Sequence, residues 1–315
     1  MKFHKGGIFT TIQDLGRNNF RRFGINPNGA MDRRAARLIN ILVGNPENSP
    51  VIEMHFPAPV IEFESETAFA LGGADFGARL DDRAAENWQV AFAKKGQILS
   101  FAEKLSGNRA YLAISGDIEI EQRLNSASTN IASEFGGFRG RTLRSGDRLE
   151  INSDRLFFPL KLARSFTPSD SSAAKIRIVK GAEFKYLTGL SEIALRSDEF
   201  KISPDSDRMG FRLAGEPLYL LDNIEILSSA VDFGTVQLLP NGQMIILMAD
   251  HQTTGGYPRI AHVISVDLPV LAQFGVNDNV AFEFVSQKKA EDLLLEFEND
   301  LGFLKTGCVF ARMKL

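Results

Sequence analysis

Two stretches of the chain crowd amide, carboxylate, hydroxyl and guanidinium groups among glycines. The first is Thr10-Thr11-Ile12-Gln13-Asp14-Leu15-Gly16-Arg17, continuing through Gly24-Ile25-Asn26-Pro27-Asn28-Gly29-Ala30-Met31-Asp32. The second is Ala249-Asp250-His251-Gln252-Thr253-Thr254-Gly255-Gly256-Tyr257-Pro258-Arg259. Glycine lets a backbone approach a ligand closely, while Gln, Asp and Thr side chains hydrogen-bond either a substrate or their own turn. For any single residue the turn reading is at least as good. For the two stretches taken together, their density favours a ligand.

Two shorter stretches add cations. In Ser133-Glu134-Phe135-Gly136-Gly137-Phe138-Arg139-Gly140-Arg141, the N–H groups of Gly136 and Gly137 can face an anion and Arg141 can grip a carboxylate or phosphate with two donors. The alternative is a glycine-rich hairpin with a solvated arginine. In Ser203-Pro204-Asp205-Ser206-Asp207-Arg208-Met209-Gly210-Phe211-Arg212, Arg208 is either an anion ligand or one half of a structural ion pair with Asp207. Arg17, Arg141, Arg208 and Arg259 are thus the cations suited to an acidic substrate. His251, inside the second stretch, is a candidate acid–base group or an ordinary hydrogen-bonding histidine.

Other chemistries lack their residues. The chain has no G-x-x-x-x-G-K-[ST] phosphate loop, no G-x-G-x-x-G after a strand and no G-x-S-x-G elbow. His4, His55, His251 and His262 show no metal spacing, and no metal is expected. The single cysteine, Cys308, excludes an intrachain disulfide and reads as a small buried hydrophobe rather than a nucleophile. Lys and Arg number 36 against 39 Asp and Glu, a net charge of −3 without the basic footprint of a nucleic-acid binder. No apolar run approaches the roughly 20 residues needed to span a bilayer, and the N-terminus lacks a signal-peptide core, so a cytoplasmic location is expected.

The elements that must position these groups are mostly strands. Val51-Ile52-Glu53-Met54, Val60-Ile61-Glu62-Phe63, Ala110 to Ile114, Ile176 to Val179 and Val280 to Phe284 are short, β-branched or aromatic, and bounded by turns such as Lys95-Gly96-Gln97 and Pro240-Asn241-Gly242. The 25 phenylalanines, against 4 Tyr and 1 Trp, read as core packing. Helical spacing predicts a helix from Asp32 to Val43, with Asp32 as cap and Gly44 as stop, and another from Ser286 to Leu301. Shorter helices are expected at Asp267 to Phe274 and around Ala182 to Leu187. A polar linker at Thr167-Pro168-Ser169-Asp170-Ser171-Ser172 separates two expected β-barrel units, 1–166 and 175–315. A weak repeat sets Ile52-Glu53-Met54 and Ala68 to Leu71 against Ile224-Glu225-Ile226 and Ile245 to Leu247. It also sets Gln13 to Arg17 against Ser206 to Gly210.

The motif Thr10 to Arg17 with Gly29-Ala30-Met31-Asp32 resembles the opening signature of the biotin-dependent carboxyltransferase-like family, also called allophanate hydrolase subunit 2. That family includes the C subunit of 5-oxoprolinase and KipA. The resemblance continues, in order, through Gly73-Ala74-Asp75, Gly136 to Arg141, Ser206 to Leu213 and Gln252 to Ile260. It implies a mainly β fold of two cyclophilin-like β-barrel subdomains with a few short helices. It implies one of three roles: the C subunit of an ATP-dependent 5-oxoprolinase acting with A and B subunits, a KipA-like antagonist of a KipI-type kinase inhibitor, or the carboxyltransferase of a urea carboxylase system. On the first role, Gln13, Asp14, Arg17, Gln252 and Thr253 would be catalytic, and Arg141, Arg208, Gly255, Gly256, Tyr257 and Arg259 would bind substrate. ATP would be held through the complex, and no covalent biotin is expected because the chain lacks the biotinyl Ala-Met-Lys-Met segment. The chain also departs from the family's arginines at Asn125-Ser126-Ala127-Ser128-Thr129 and Asp250-His251-Gln252-Thr253-Thr254.

Overall fold

The computed structural model describes residues 1–152, 158–168, 175–222, 224 and 226–313. Among these the chain is mainly β, with four α-helices: α1 (Arg33–Val43), α2 (Gly189–Ser197), α3 (Leu268–Leu271) and α4 (Gln287–Met313). It divides into two compact units. Unit 1 comprises Met1–Arg17, Asn28–Asp170 and Asn299–Leu315; unit 2 comprises Asn18–Pro27 and Ser171–Glu298. Ser169 to Ser172 of the expected linker lie outside the described residues.

Unit 1 holds two five-stranded sheets. One runs Lys2–Lys5, Val60–Glu62, Ile98–Phe101, Ala78–Leu80, Arg83–Ala84; the other runs Thr10–Gln13, Val51–Met54, Ser106–Ile114, Thr67–Asp75, Val90–Ala93. Phe3, Ile61 and Leu99 of the first sheet share a buried core with Ile12, Ile52, Phe69 and Leu112 of the second. The Phe63 and Phe69 rings stack at 5.2 Å. Burying side chains of this size stabilises by about 1.5–3 kcal/mol each, which is where many of the phenylalanines are used.

Helix α1 forms where its spacing predicts. Asp32 accepts from Ala35 N at 2.8 Å, and Gly44 takes the left-handed stop at φ 87°. Its buried stripe lies on strands Thr67–Asp75 and Ser106–Ile114. The approach is close at Gly72, where a Cβ would stand 2.6 Å from Ile39 and from Trp88. The last carbonyls of α1, those of Ile41 and Leu42, accept from Arg312 Nη2 of α4 at 2.8 and 2.7 Å, a cation at the negative end of the helix.

Unit 2 is built on a closed seven-stranded barrel, in the order Ile176–Lys180, Arg259–Val263, Thr235–Leu238, Met244–Leu247, Gly210–Ala214, Glu199–Ile202, Asn279–Phe284. The closing pair, Ile176–Lys180 with Asn279–Phe284, is parallel and the others are antiparallel. Phe200, Phe211, Val236, Ile246, Ile260 and Phe282 fill the interior.

Three elements differ from their sequence reading. Helix α4 begins at its expected cap, with Ser286 Oγ accepting from Lys289 N at 3.1 Å, but runs past Leu301 to Met313. Gly302, just past the expected end, is carried within the helix, and a Cβ built on it would meet nothing within 4 Å. Helix α2 is not expected from the sequence; it is started by Thr188, its Leu190 and Ile193 are 81% and 61% exposed, and it buries only Ser191 and Leu195. Around Ala182 to Leu187 only a 3-10 turn forms, at Phe184–Tyr186. The repeat holds for Ala68 to Leu71 and Ile245 to Leu247, which are both strand, but Ile224 and Ile226 belong to no strand while Val51–Met54 does.

Candidate functional site

In unit 1 the first motif closes on itself. The Asp14 carboxylate accepts from Gly16 N, Ser126 Oγ and Ala127 N at 2.7 Å each and from Ser128 Oγ at 2.5 Å. It is 2% exposed. Both segments that bond it, Gly16 and Ser126 to Ser128, are thereby fixed by one buried charge. Ala127 is itself fully buried.

Arg17 is buried too. Its Nη1 donates to Asn28 Oδ1 at 2.9 Å, its Nη2 donates to the Ser128 carbonyl, and its guanidinium lies 4.9 Å over the Phe135 ring. Gly136 is required here: at φ 70° a Cβ would meet Arg17 Nη2 at 2.1 Å. Gln13 donates to Thr11 Oγ1 at 3.0 Å and to the Thr129 carbonyl at 3.3 Å, while its buried Oε1 has no partner among the described residues.

Below this loop, Glu53 Oε2 accepts from Met31 N and from the Tyr111 hydroxyl, at 2.9 and 2.8 Å. The Tyr111 oxygen accepts from Asp32 N at 2.8 Å. Burial, with the Glu53 charge beside it, pushes the Tyr111 hydroxyl well above its ordinary pKa, so it stays a neutral donor. The Gly29 to Asp32 turn is held by this pair.

The other cations are also engaged within their own units. Arg141 grips Asp147 with two donors at 2.7 and 2.8 Å, Arg208 grips Asp250 at 2.9 and 3.1 Å, and Arg259 grips Glu183 at 2.9 Å through both Nε and Nη2. The partner of Arg208 is therefore Asp250, not the adjacent Asp207, whose carboxylate accepts from Met209 N and Gly210 N at 2.8 and 3.2 Å. The bond from Arg259 holds the Glu183 carboxyl below its ordinary value of 4.5, and the bond from Arg141 does the same to Asp147 below 3.8. Depressed carboxyls contribute stability that is complete above those ordinary values and lost as the pH falls through the lower, folded ones. Urea midpoints measured at pH 6 and pH 3 should therefore fall less for Glu183→Gln than for the wild type.

In unit 2 the second motif borders a cavity of about 470 Å³ at the barrel, whose lining includes Asp205, Arg212, Gln237, Asn241, Gln252 and Tyr257. Gln252 Nε2 donates to Gln237 Oε1 at 3.4 Å, and Gln237 Nε2 to the Tyr257 carbonyl at 3.5 Å. Both lie at the long end of hydrogen-bonding distance, so these amides can exchange partners with a ligand at little cost, unlike the short bonds around Asp14. Gly255 makes room for them: a Cβ there would stand 2.6 Å from Gln237 Nε2. Thr253 is half-buried, and its carbonyl accepts from Val231 N at 3.2 Å. Gly256 lines a neighbouring apolar groove of about 870 Å³ with Tyr257 and Pro258. His251 is buried, its Nδ1 2.5 Å from the Gln252 carbonyl. Asn26 Nδ2 donates to the carbonyls of Asp250 and His251 at 2.9 and 2.8 Å, which fixes the base of the same loop.

Of the residues singled out in the sequence, the unit 2 cavity gathers Gln252 and Tyr257, with Gly255 behind them. Gln13, Asp14 and Arg17 form a separate buried network in unit 1. Sequence reasoning missed Gln237 and Arg212 as lining residues. Gln237 sits in strand Thr235–Leu238 with no motif around it; Arg212 ends the quoted Ser203 to Arg212 stretch, so its signal was present.

The carboxyltransferase domain family, subdomains A and B, matches residues 23–284. The chain belongs to that family. This carboxyltransferase-domain protein is 40% identical to the C subunit of 5-oxoprolinase from Haemophilus influenzae over 90% of both chains. It is 38% identical to that of Escherichia coli, covering 92% of this chain and 93% of the other. Its fold is that of the crystal structure of Kluyveromyces lactis urea carboxylase, at TM-score 0.90 and 26% identity. That match covers 98% of this chain and 29% of that one, so the carboxyltransferase-domain protein spans under a third of the larger enzyme. Among the described residues no helix is long and apolar enough to cross a membrane.

Proposed function

We propose that this chain is the C subunit of an ATP-dependent 5-oxoprolinase, acting in the cytoplasm with an A subunit and a KipI-like B subunit to open 5-oxoproline to glutamate. The observation that carries the reading is the match, at 38–40% identity over 90–93% of each chain, to two 5-oxoprolinase C subunits. Opening the lactam breaks its C–N bond and adds water across it, while ATP supplies the driving force. The chemistry requires donors on the lactam carbonyl as charge develops there. The loosely held amides of Gln237 and Gln252 serve that need from the cavity wall, with Tyr257 beside them. Gln13, Asp14, Arg17 and Thr253 act by fixing loop shape. Arg141, Arg208 and Arg259 act through the carboxylates they hold, and Gly255 and Gly256 by keeping the backbone open. ATP is bound through the assembled complex, and this chain carries no covalent biotin.

The test is reconstitution. Mixed with its A and B subunits, 5-oxoproline and ATP, the chain should support glutamate release. Gln252→Ala should lower kcat/KM by about 10- to 100-fold, the worth of a hydrogen bond to developing charge. Absence of glutamate with intact partners would overturn the reading. Tight association with the B subunit but no turnover would support a KipA-like binding protein. The TM-score of 0.90 to urea carboxylase favours a second reading, carboxyl transfer from a biotin carried on another chain, which biotin-dependent carboxylation of urea would reveal.

A further inference from the structure

Arg212 stands apart from the four arginines considered above. It is exposed, lies in strand Gly210–Ala214, and its guanidinium has no hydrogen bond or ion pair among the described residues. Its backbone is pinned instead: Arg212 N donates to Ser206 Oγ at 2.9 Å, and its carbonyl accepts from Ser203 N at 2.8 Å. The side chain lines the 470 Å³ cavity and a second one of about 400 Å³ that shares Asp205 and Arg212 with it. Asp205 is likewise exposed, and its carboxylate has no partner among the described residues. One wall thus carries an uncommitted cation and an uncommitted carboxylate, with the Gln237 and Gln252 amides in the same cavity.

We infer that this cavity binds the N–H and carboxylate unit of an α-amino or α-imino acid, the ligand carboxylate on Arg212 and its N–H on Asp205. The charges fit it: a plain anion meets Asp205 and the nearby Asp207, a plain cation meets Arg212, whereas a molecule carrying both an acceptor carboxylate and a nitrogen donor satisfies Arg212 and Asp205 together. A guanidinium presents two parallel donors to one carboxylate, which fixes orientation as well as affinity. A lactam carbonyl on the same molecule then falls to the glutamine amides. The inference rests on the 5-oxoprolinase reading only for the identity of the ligand. 5-Oxoproline and glutamate both carry the unit, one with a lactam and one with an ammonium nitrogen.

Titration calorimetry on the full chain with its A and B subunits, without ATP, tests the inference. Separate titrations with 5-oxoproline, glutamate and 2-pyrrolidinone, a lactam without a carboxylate, are compared. Wild type should bind 5-oxoproline or glutamate, the stronger naming the source, and should not bind 2-pyrrolidinone. Arg212→Gln should weaken binding by about 10- to 100-fold, and Arg212→Lys should restore part of it. Because Arg212 is exposed, the variant's unfolding midpoint should match that of the wild type. Equal affinity in Arg212→Gln, binding of 2-pyrrolidinone as strong as that of 5-oxoproline, or no binding of either acid would overturn it. Failure of glutamate release with ATP bears on the enzyme reading alone, since the titration needs no turnover.

Discussion

Replacing Asp14 with alanine is expected to lower the unfolding free energy by about 3–5 kcal/mol, the cost of stranding buried donors around a deleted charge. Four donors converge on this one carboxylate, two of them backbone N–H groups. The hydroxyls of Ser126 and Ser128 can rotate; the N–H groups of Gly16 and Ala127 cannot. Asp14→Asn should cost less, since one side-chain oxygen still accepts while the new amide donors face donors. Urea unfolding followed by tryptophan fluorescence and far-ultraviolet circular dichroism would measure both. A loss under about 1 kcal/mol for the alanine variant would show that water replaces the carboxylate without strain.

A comparable loss, about 3–5 kcal/mol, is expected for Arg208→Met, which leaves buried Asp250, in the turn after strand Met244–Leu247, without its two-donor partner. The instructive comparison is the double variant Arg208→Met with Asp250→Leu. Removing both charges removes the penalty of burying one alone, so the pair should be less damaging than the arginine change by itself. The Asp250 loop also carries Gln252, so glutamate release should fall in the single variant even below its unfolding temperature. If the double variant proved as unstable as the single one, the ion pair would be holding loop geometry rather than merely neutralising itself.

Strand positions and the first helix were legible because their signals are local. Val51–Met54 has the bounds its residues predict, and α1 has its Asp32 cap, its apolar stripe and its Gly44 stop within one short run of sequence. The arginines were not legible, because what an arginine does depends on what faces it. Arg141 meets a carboxylate 6 residues away, but Arg208 and Arg259 meet theirs across 42 and 76. No spacing rule reports such pairings, so three engaged guanidiniums and the uncommitted Arg212 look alike in the sequence. The same limit hid Gln237, which joins Gln252 only because strand Thr235–Leu238 brings its amide against Gly255. Helix α2 went unread for a different reason: it is short, its Leu190 and Ile193 at helical spacing are exposed, and only Ser191 and Leu195 of its residues are buried.

The short segment Asn18–Pro27 belongs to unit 2, although the residues on either side of it belong to unit 1. Within unit 2 it is fastened by Asn26 to the Asp250–His251 carbonyls and by Arg21 to Val231 and Asp232. A gene cut once near the mid-chain therefore cannot yield an intact second half: that product would lack a strap donated from the other end of the reading frame. Anyone wishing to produce the barrel as an isolated fragment would have to graft that strap onto it or supply it as a separate peptide.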